Sequence, residues 1–280
     1  MSILKTSKLE KRYQKTAVVD ALDLAIAPGD IYGFLGPNGA GKTTTIRMLM
    51  GIIAADSGTI ELFGKTRRRP TNEDKRQIGY VSQDQHFYPW MSGDDLARFV
   101  GAFYPTWDRG EFDRLTRRLD LPVDRKASQL SRGMQVKLAL ALALAHRPAL
   151  LILDEPTSGL DPLTRREFLD LIRAQAKSDG RTTFFSSHII EDLEGTANRI
   201  GILKNGRLLY QGAPETLCRE IRRVPNAPEL GVPEGFTVIG ADERGTLLRA
   251  PEALWPVDVG EPLELEAAFV ALVRSTSRPS

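Results

Sequence analysis

A lysine and a threonine close the glycine-rich octet Gly36-Pro37-Asn38-Gly39-Ala40-Gly41-Lys42-Thr43, and no other residues of the sequence carry so definite a chemistry. Glycines at these spacings let backbone N–H groups turn inward around phosphate oxygens, and a helix starting there adds positive potential. Lys42 would reach the β- and γ-phosphates of a nucleotide, and Thr43 would bind Mg²⁺ through its hydroxyl. A plain turn between strand and helix would explain the glycines but neither of these side chains. The second group is Asp154-Glu155, two carboxylates that follow the apolar run Leu150-Leu151-Ile152-Leu153. Open α/β sheets place ligands at the carboxyl ends of their strands. Asp154 is therefore expected to hold the Mg²⁺, directly or through water, and Glu155 to orient or deprotonate an attacking water. These two groups imply nucleoside-triphosphate chemistry and leave kinases, GTPases and other phosphate-loop NTPases open.

The elements that must hold these residues can be read from the spacing of apolar side chains. The N-terminal stretch alternates, with Val18, Ala21, Leu22, Leu24 and Ile26 among polar residues before the turn Pro28-Gly29, which predicts antiparallel strands. A short apolar strand over 31–35 leads into the octet, and a helix over 43–50 leaves it. Strands are expected over 59–63 and 78–82. Residues 94–121 carry apolar side chains at spacings of three and four, predicting a helical insert. Ser131 caps an Ala/Leu-rich helix that Pro148 prevents from continuing. Residues 149–153 are apolar on both faces, as a central parallel strand must be. A helix over 162–177, a strand over 182–186 and a hairpin of 199–203 with 208–210 complete an α/β pattern. Beyond about residue 220 the prolines Pro225, Pro228, Pro233, Pro251, Pro256 and Pro262 mark an appendage with a loop, a hairpin around Glu243-Arg244-Gly245 and a closing helix over 263–273. The basic run over 65–69 reads as a solvated loop.

Composition narrows the class. Hydrophobic residues make up 41% and charged residues 26% of the 280 residues, as in an ordinary globular protein. A formal net charge of +2 gives no reason to expect nucleic acid. The single cysteine, Cys218, is expected to be a small helix residue. The start becomes polar too soon for a signal peptide, which places the chain inside the cell. The longest uninterrupted apolar stretch, about 8 residues from Leu138, is far short of the roughly 20 that cross a bilayer.

A third motif decides among the NTPases. Leu130-Ser131-Arg132-Gly133-Met134-Gln135, just ahead of Asp154-Glu155, resembles the Leu-Ser-Gly-Gly-Gln signature of ATP-binding cassette (ABC) proteins. Gln83, Ser158-Gly159-Leu160-Asp161 and His188 stand in that family's order and approximate spacing, and the resemblance covers roughly residues 3–220. It implies a fold: an α/β phosphate-loop NTPase core with an N-terminal antiparallel β subdomain, a helical insert at about 92–147 and a small C-terminal extension. The ATP-binding domain would span 1–220 and the extension 221–280. It also implies that Tyr13 stacks on adenine, and that Gln83 couples the γ-phosphate and Mg²⁺ to a transmembrane partner. His188 would contact the γ-phosphate. Nucleotide contacts extend to Thr44 and Asp161, while Ser131 and Gly133 would face the nucleotide of a second subunit. Arg132 stands where the signature has its first glycine and Met134 where it has glutamine, so one amide is lost while Ser131 and the Gly133 backbone remain. The Leu-Ser-Arg-Gly-Met text and Phe103-Tyr104-Pro105-Thr106-Trp107-Asp108 look like the exporter branch that includes multidrug and peptide-antibiotic transporters.

The function implied is that of the ATP-hydrolysing motor of an ABC transporter, peripheral on the cytoplasmic side of the membrane. Its expected partners are a transmembrane permease subunit and a second ATP-binding subunit, joined by ATP as a homodimer or a heterodimer. The aromatic stretch His86-Phe87-Tyr88-Pro89-Trp90-Met91 suits a socket for a helix of the permease, or packs internally against the helical insert. The rival function is a soluble cassette ATPase acting on the ribosome or on DNA. Such proteins usually pair two cassettes or carry a long coiled coil, whereas this sequence has one set of motifs and no sustained heptads.

Overall fold

The computed structural model describes residues 2–225, 232–256 and 258–275; Pro228 of the appendage lies outside them. The chain opens with strands β1 (Leu4–Tyr13) and β2 (Thr16–Ile26), paired antiparallel. Then come β3 (Ile31–Leu35), helix α1 (Lys42–Leu49), β4 (Ser57–Leu62) and β5 (Lys65–Arg67). Helix α2 (Asn72–Arg76) and strand β6 (Ile78–Val81) precede three helices: α3 (Gly93–Gly101), α4 (Arg109–Arg118) and α5 (Arg132–Ala145). Strand β7 (Leu150–Leu153), helix α6 (Pro162–Asp179), β8 (Thr182–Ser187), β9 (Arg199–Lys204) and β10 (Arg207–Gly212) finish the central layer. After α7 (Pro214–Glu220) come β11 (Ile221–Val224), β12 (Thr237–Asp242), β13 (Gly245–Arg249), β14 (Glu261–Pro262) and α8 (Leu265–Arg274).

The central sheet runs β10-β9-β3-β8-β7-β6, parallel throughout except for β10, so the fold is α/β as the alternation of elements predicts. Its strands are apolar on both faces because each face buries a separate core. Leu150 and Ile152 join Tyr32, Phe34 and Phe184 against α1 and the antiparallel sheet β2-β1-β4-β5. Leu151 and Leu153 join Phe185 and Ile202 against α5 and the helical insert. Period-two alternation thus divides one strand between two layers. Helix α5 is buried nearly all round from Val136 to Ala145, which accounts for its uninterrupted Ala and Leu.

Two expectations are corrected and a third, the helical insert over 94–121, is refined. The basic run over 65–69 is not all loop: Lys65–Arg67 forms an edge strand on β4, while Arg68 and Arg69 lie beyond it. Lys65, Arg68 and Arg69 are exposed as expected, but Arg67 lies 2.9 Å from the Asp74 carboxylate and the Arg69 guanidinium donates to the Gly51 carbonyl, so local partners also fix these two cations. The helical reading over 94–121 divides into α3 and α4, because Pro105 lacks an N–H and Asp108 caps a fresh helix, accepting from the Glu111 N–H. In the appendage, β11 occupies residues read as loop and joins the order β12-β13-β11-β14, a four-stranded sheet where only a hairpin was expected. Its apolar face is not separate: Ile221, Ile239, Leu263 and Leu272 share a core with Tyr210 and Leu217.

Candidate functional site

The register of the parallel strands brings the chemistry to one edge. Leu35 pairs with Ser187, and Leu153 pairs with Phe185 and Val81, so the loops leaving β3, β6, β7 and β8 emerge side by side. Asn38, Gly39, Ala40, Gly41, Lys42, Thr43, Thr44, Gln83 and Glu155 line one cleft there, together with Val18. Gly41 has φ +108°, and a Cβ on it would lie 2.5 Å from the Val18 carbonyl oxygen, so glycine is required for the loop to turn into α1. The Lys42 ammonium donates to the carbonyls of Gly36 (2.7 Å) and Pro37 (3.3 Å) and sits 3.0 Å from Glu155 Oε1.

Glu155 is held in a left-handed conformation, φ +47°, unusual for a residue with a side chain. That turn sends its carboxylate back over the phosphate loop, where Oε2 lies 2.6 Å from His188 Nδ1. Strain of this kind persists only where the surroundings over-determine it. Here the Glu155 N–H donates to Ser186 Oγ at 2.9 Å, while Ser186 Oγ donates to Asp154 Oδ1 at 2.9 Å. Thr43 Oγ1 donates to the same Asp154 oxygen at 3.0 Å. Burial pushes the Asp154 carboxyl above the usual carboxylate range; the Ser186 and Thr43 hydroxyls oppose this, and the Glu155 charge adds to it.

Comparison with known proteins identifies this arrangement. The profile of the ABC transporter family matches residues 19–158. The chain belongs to the ABC transporter family. As a member of it, the cassette binds and hydrolyses ATP. It is 40% identical over 212 residues to the bacitracin transport ATP-binding protein BcrA of Bacillus licheniformis, covering 75% of this chain and 69% of that one. It is 37% identical over 215 residues to the Nod factor export ATP-binding protein I of Paraburkholderia xenovorans, covering 75% and 70%. Among solved structures it resembles an ATP-binding subunit of an ABC transporter, with a TM-score of 0.69 and 27% identity over 78% of this chain and 92% of that one.

The remaining residues singled out from the cassette's sequence lie outside the cleft lining. Ser131 is the exposed cap of α5, its Oγ accepting from the Met134 N–H at 3.3 Å. A Cβ on Gly133 would lie 3.2 Å from Thr164 Cγ2, so the start of α5 packs beside α6. Asp161 caps α6 through the N–H groups of Leu163 and Thr164; the Thr164 hydroxyl, then these amides, hold its carboxyl below the usual range. Arg132 lies over Gly159, where a Cβ would meet its Cζ at 3.2 Å, and 3.9 Å from Asp84. Ser131, Arg132, Gly133 and the Ser158–Asp161 stretch thus form one face. Tyr13 ends β1, half-exposed, with Lys11 Nζ 5.6 Å from its ring centroid.

The aromatic stretch divides between its two readings. Phe87 and Met91 pack on the core. Tyr88 and Trp90 stand exposed and continue into Phe99 and Phe103 of the helical insert, with ring centroids 5.3, 5.7 and 5.4 Å apart along the row. No described helix is long and apolar enough to cross a membrane. Sequence reading missed Ser186, the hydroxyl that accepts from the Glu155 N–H and donates to the Asp154 carboxylate. Its signal was a pair of serines at the end of an otherwise apolar strand, directly before His188.

Proposed function

We propose that this cassette is the motor subunit of an exporter, peripheral on the cytoplasmic side of a membrane and working through a separate transmembrane permease. The reading rests on one observation above others: in a phosphate-loop cleft, the Glu155 carboxylate lies 3.0 Å from Lys42 and 2.6 Å from His188. A carboxylate so placed can orient a water for in-line attack on the γ-phosphorus and take up its proton as the bond to the bridging oxygen breaks and ADP leaves. Lys42 and the backbone amides of the loop bind the β- and γ-phosphates, His188 bonds a γ-phosphate oxygen, and Thr44 and Tyr13 complete the nucleotide contacts. Export follows the names of the relatives.

Thr43, Asp154 and, at the cleft wall, Gln83 are the residues that would hold Mg²⁺. The donor set fits: these are oxygen ligands, and a buried carboxyl raised by desolvation and met by hydroxyls gains from a divalent cation. When bound, the ion neutralises charge developing on the β- and γ-oxygens. Ser131 and Asp161, exposed, and the half-buried Gly133, all outside the cleft, supply the other half of an ATP site to a second ATP-binding subunit. The row from Tyr88 to Phe103 is the surface for the permease, since exposed aromatics at this density mark protein contacts. We assign residues 1–220 to the ATP-binding domain and 221–280 to an extension that builds its own sheet. The test is Glu155→Gln, expected to bind ATP while losing at least about 10²-fold in kcat. Turnover at the wild-type rate would remove Glu155 as the base.

A further inference from the structure

Behind the cleft a fully buried carboxylate that takes no part in this scheme joins the segments that carry it. Asp192 is 0% exposed. Its Oδ2 accepts from Thr157 Oγ1 at 2.5 Å and from Ser187 Oγ at 3.0 Å, and its Oδ1 accepts from Arg165 Nε. Each donor belongs to a different segment. Thr157 lies in the turn after Glu155, closed by the Ser158 N–H on the Glu155 carbonyl. Ser187 ends β8 and immediately precedes His188. Arg165 is in the first turns of α6, just after the cap Asp161. Ser187 Oγ also takes the Ile189 N–H at 3.0 Å, so His188 is bracketed by one hydroxyl that Asp192 holds.

A buried charge without catalytic contact is costly unless it is paired and hydrogen-bonded, and a satisfied network of this kind fixes one geometry. We propose that Asp192 is a positioning residue for ATP hydrolysis: it locks the turn after Glu155 to the end of β8 and thereby sets the Glu155–His188 contact. Through Arg165 it ties that contact to the face carrying Asp161. The proposal rests on the roles given above to Glu155 and His188.

It is tested by steady-state ATP hydrolysis in the full chain. Asp192→Asn is expected to lower kcat about tenfold with KM for ATP within about twofold, because the phosphate loop is untouched. In a His188→Ala background the same change should add nothing, which loss of packing alone would not produce. Thr157→Val, removing one donor at constant shape, should give a smaller fall of the same kind and stands in if Asp192→Asn does not fold. Wild-type kcat in both Asp192→Asn and Thr157→Val, or full additivity with His188→Ala, would overturn the proposal. Glu155→Gln assayed alongside separates the two readings. If it is inactive while Asp192→Asn is normal, only the positioning role falls. If it is as active as wild type, the assignment of the base falls first.

Discussion

In the phosphate-loop cleft the charged groups are buried and held by one another: Lys42, Asp154 and Glu155 are 5%, 1% and 7% exposed, Lys42 lies 3.0 Å from Glu155, and Ser186 joins the Glu155 backbone N–H to the Asp154 carboxylate. Around Ser131 groups of similar chemistry stand in solvent. Ser131 and Asp161 spend their oxygens on the ends of their own helices, and the Arg132 side chain is 54% exposed, 3.9 Å from a still more exposed Asp84. One region is organised by the chain itself; the other presents capped helix starts at the surface. Preorganised groups in a dry site act strongly on charge that develops there, whereas an exposed cap gains such force only once a second surface excludes water. The difference fits the proposal that chemistry belongs to the cleft and completion of the site to the face.

Changes at the two regions should therefore fail differently. The largest effect is expected from Lys42→Ala, which removes the phosphate ligand and leaves Glu155 buried without its cation; hydrolysis should fall about 10²–10³-fold with ATP affinity reduced as well. Near-normal turnover and affinity would break the comparison at its stronger end. Next comes acid sensitivity of the helix that carries the face. His146 caps the far end of α5, buried and stacked on Tyr104 at 3.9 Å, and burial, with the Arg181 charge second, pushes its pKa down to about 4. The unfolded chain, with a histidine near its ordinary 6.5, takes up the proton first. This contribution is intact above pH 6.5 and is lost at about 1.4 kcal/mol per pH unit between there and about pH 4. Urea unfolding across that range should show the slope, and His146→Phe, which keeps a ring against Tyr104, should flatten it. The smallest effect concerns a third surface. Trp90→Ala, at a side chain 66% exposed, should weaken co-purification with the permease by about 1–2 kcal/mol while ATP binding stays intact. Unchanged association would return Trp90 to an ordinary surface residue.

The sequence made the cleft more legible than anything around it, for a physical reason. The phosphate loop is a contiguous stretch whose glycines, lysine and threonine act through local backbone geometry, so spacing alone exposes it. Ser131 was legible as a cap because capping is equally local, whereas Asp161 was singled out only through the family resemblance and its capping of α6 was not read. Ser186 beneath Asp154 and Asp192 behind His188 were not, since their partners lie 32 and 35 residues away and meet only through the register of parallel strands and the turns that follow them. Edge strand β5 was hidden by its basic composition, and the sheet of the extension by prolines: Pro225 and Pro251 stand just beyond β11 and β13, and Pro262 lies within the short edge strand β14. Tyr13 was readable as the end of a strand, but its relation to a bound nucleotide depends on a distance that periodicity does not encode.

Two variants disabled in opposite halves test the division of labour most directly. Lys42→Ala spoils the cleft and keeps the face; Ser131→Arg spoils the face and keeps the cleft. Each alone should hydrolyse ATP poorly, because a twofold pair of identical chains then lacks the same half of both sites. Mixed, they should regain turnover above the sum of the separate variants, since one site of each mixed pair joins an intact cleft to an intact face. A mixture no more active than its parts, with sedimentation showing that the two chains pair, would contradict a site shared between subunits.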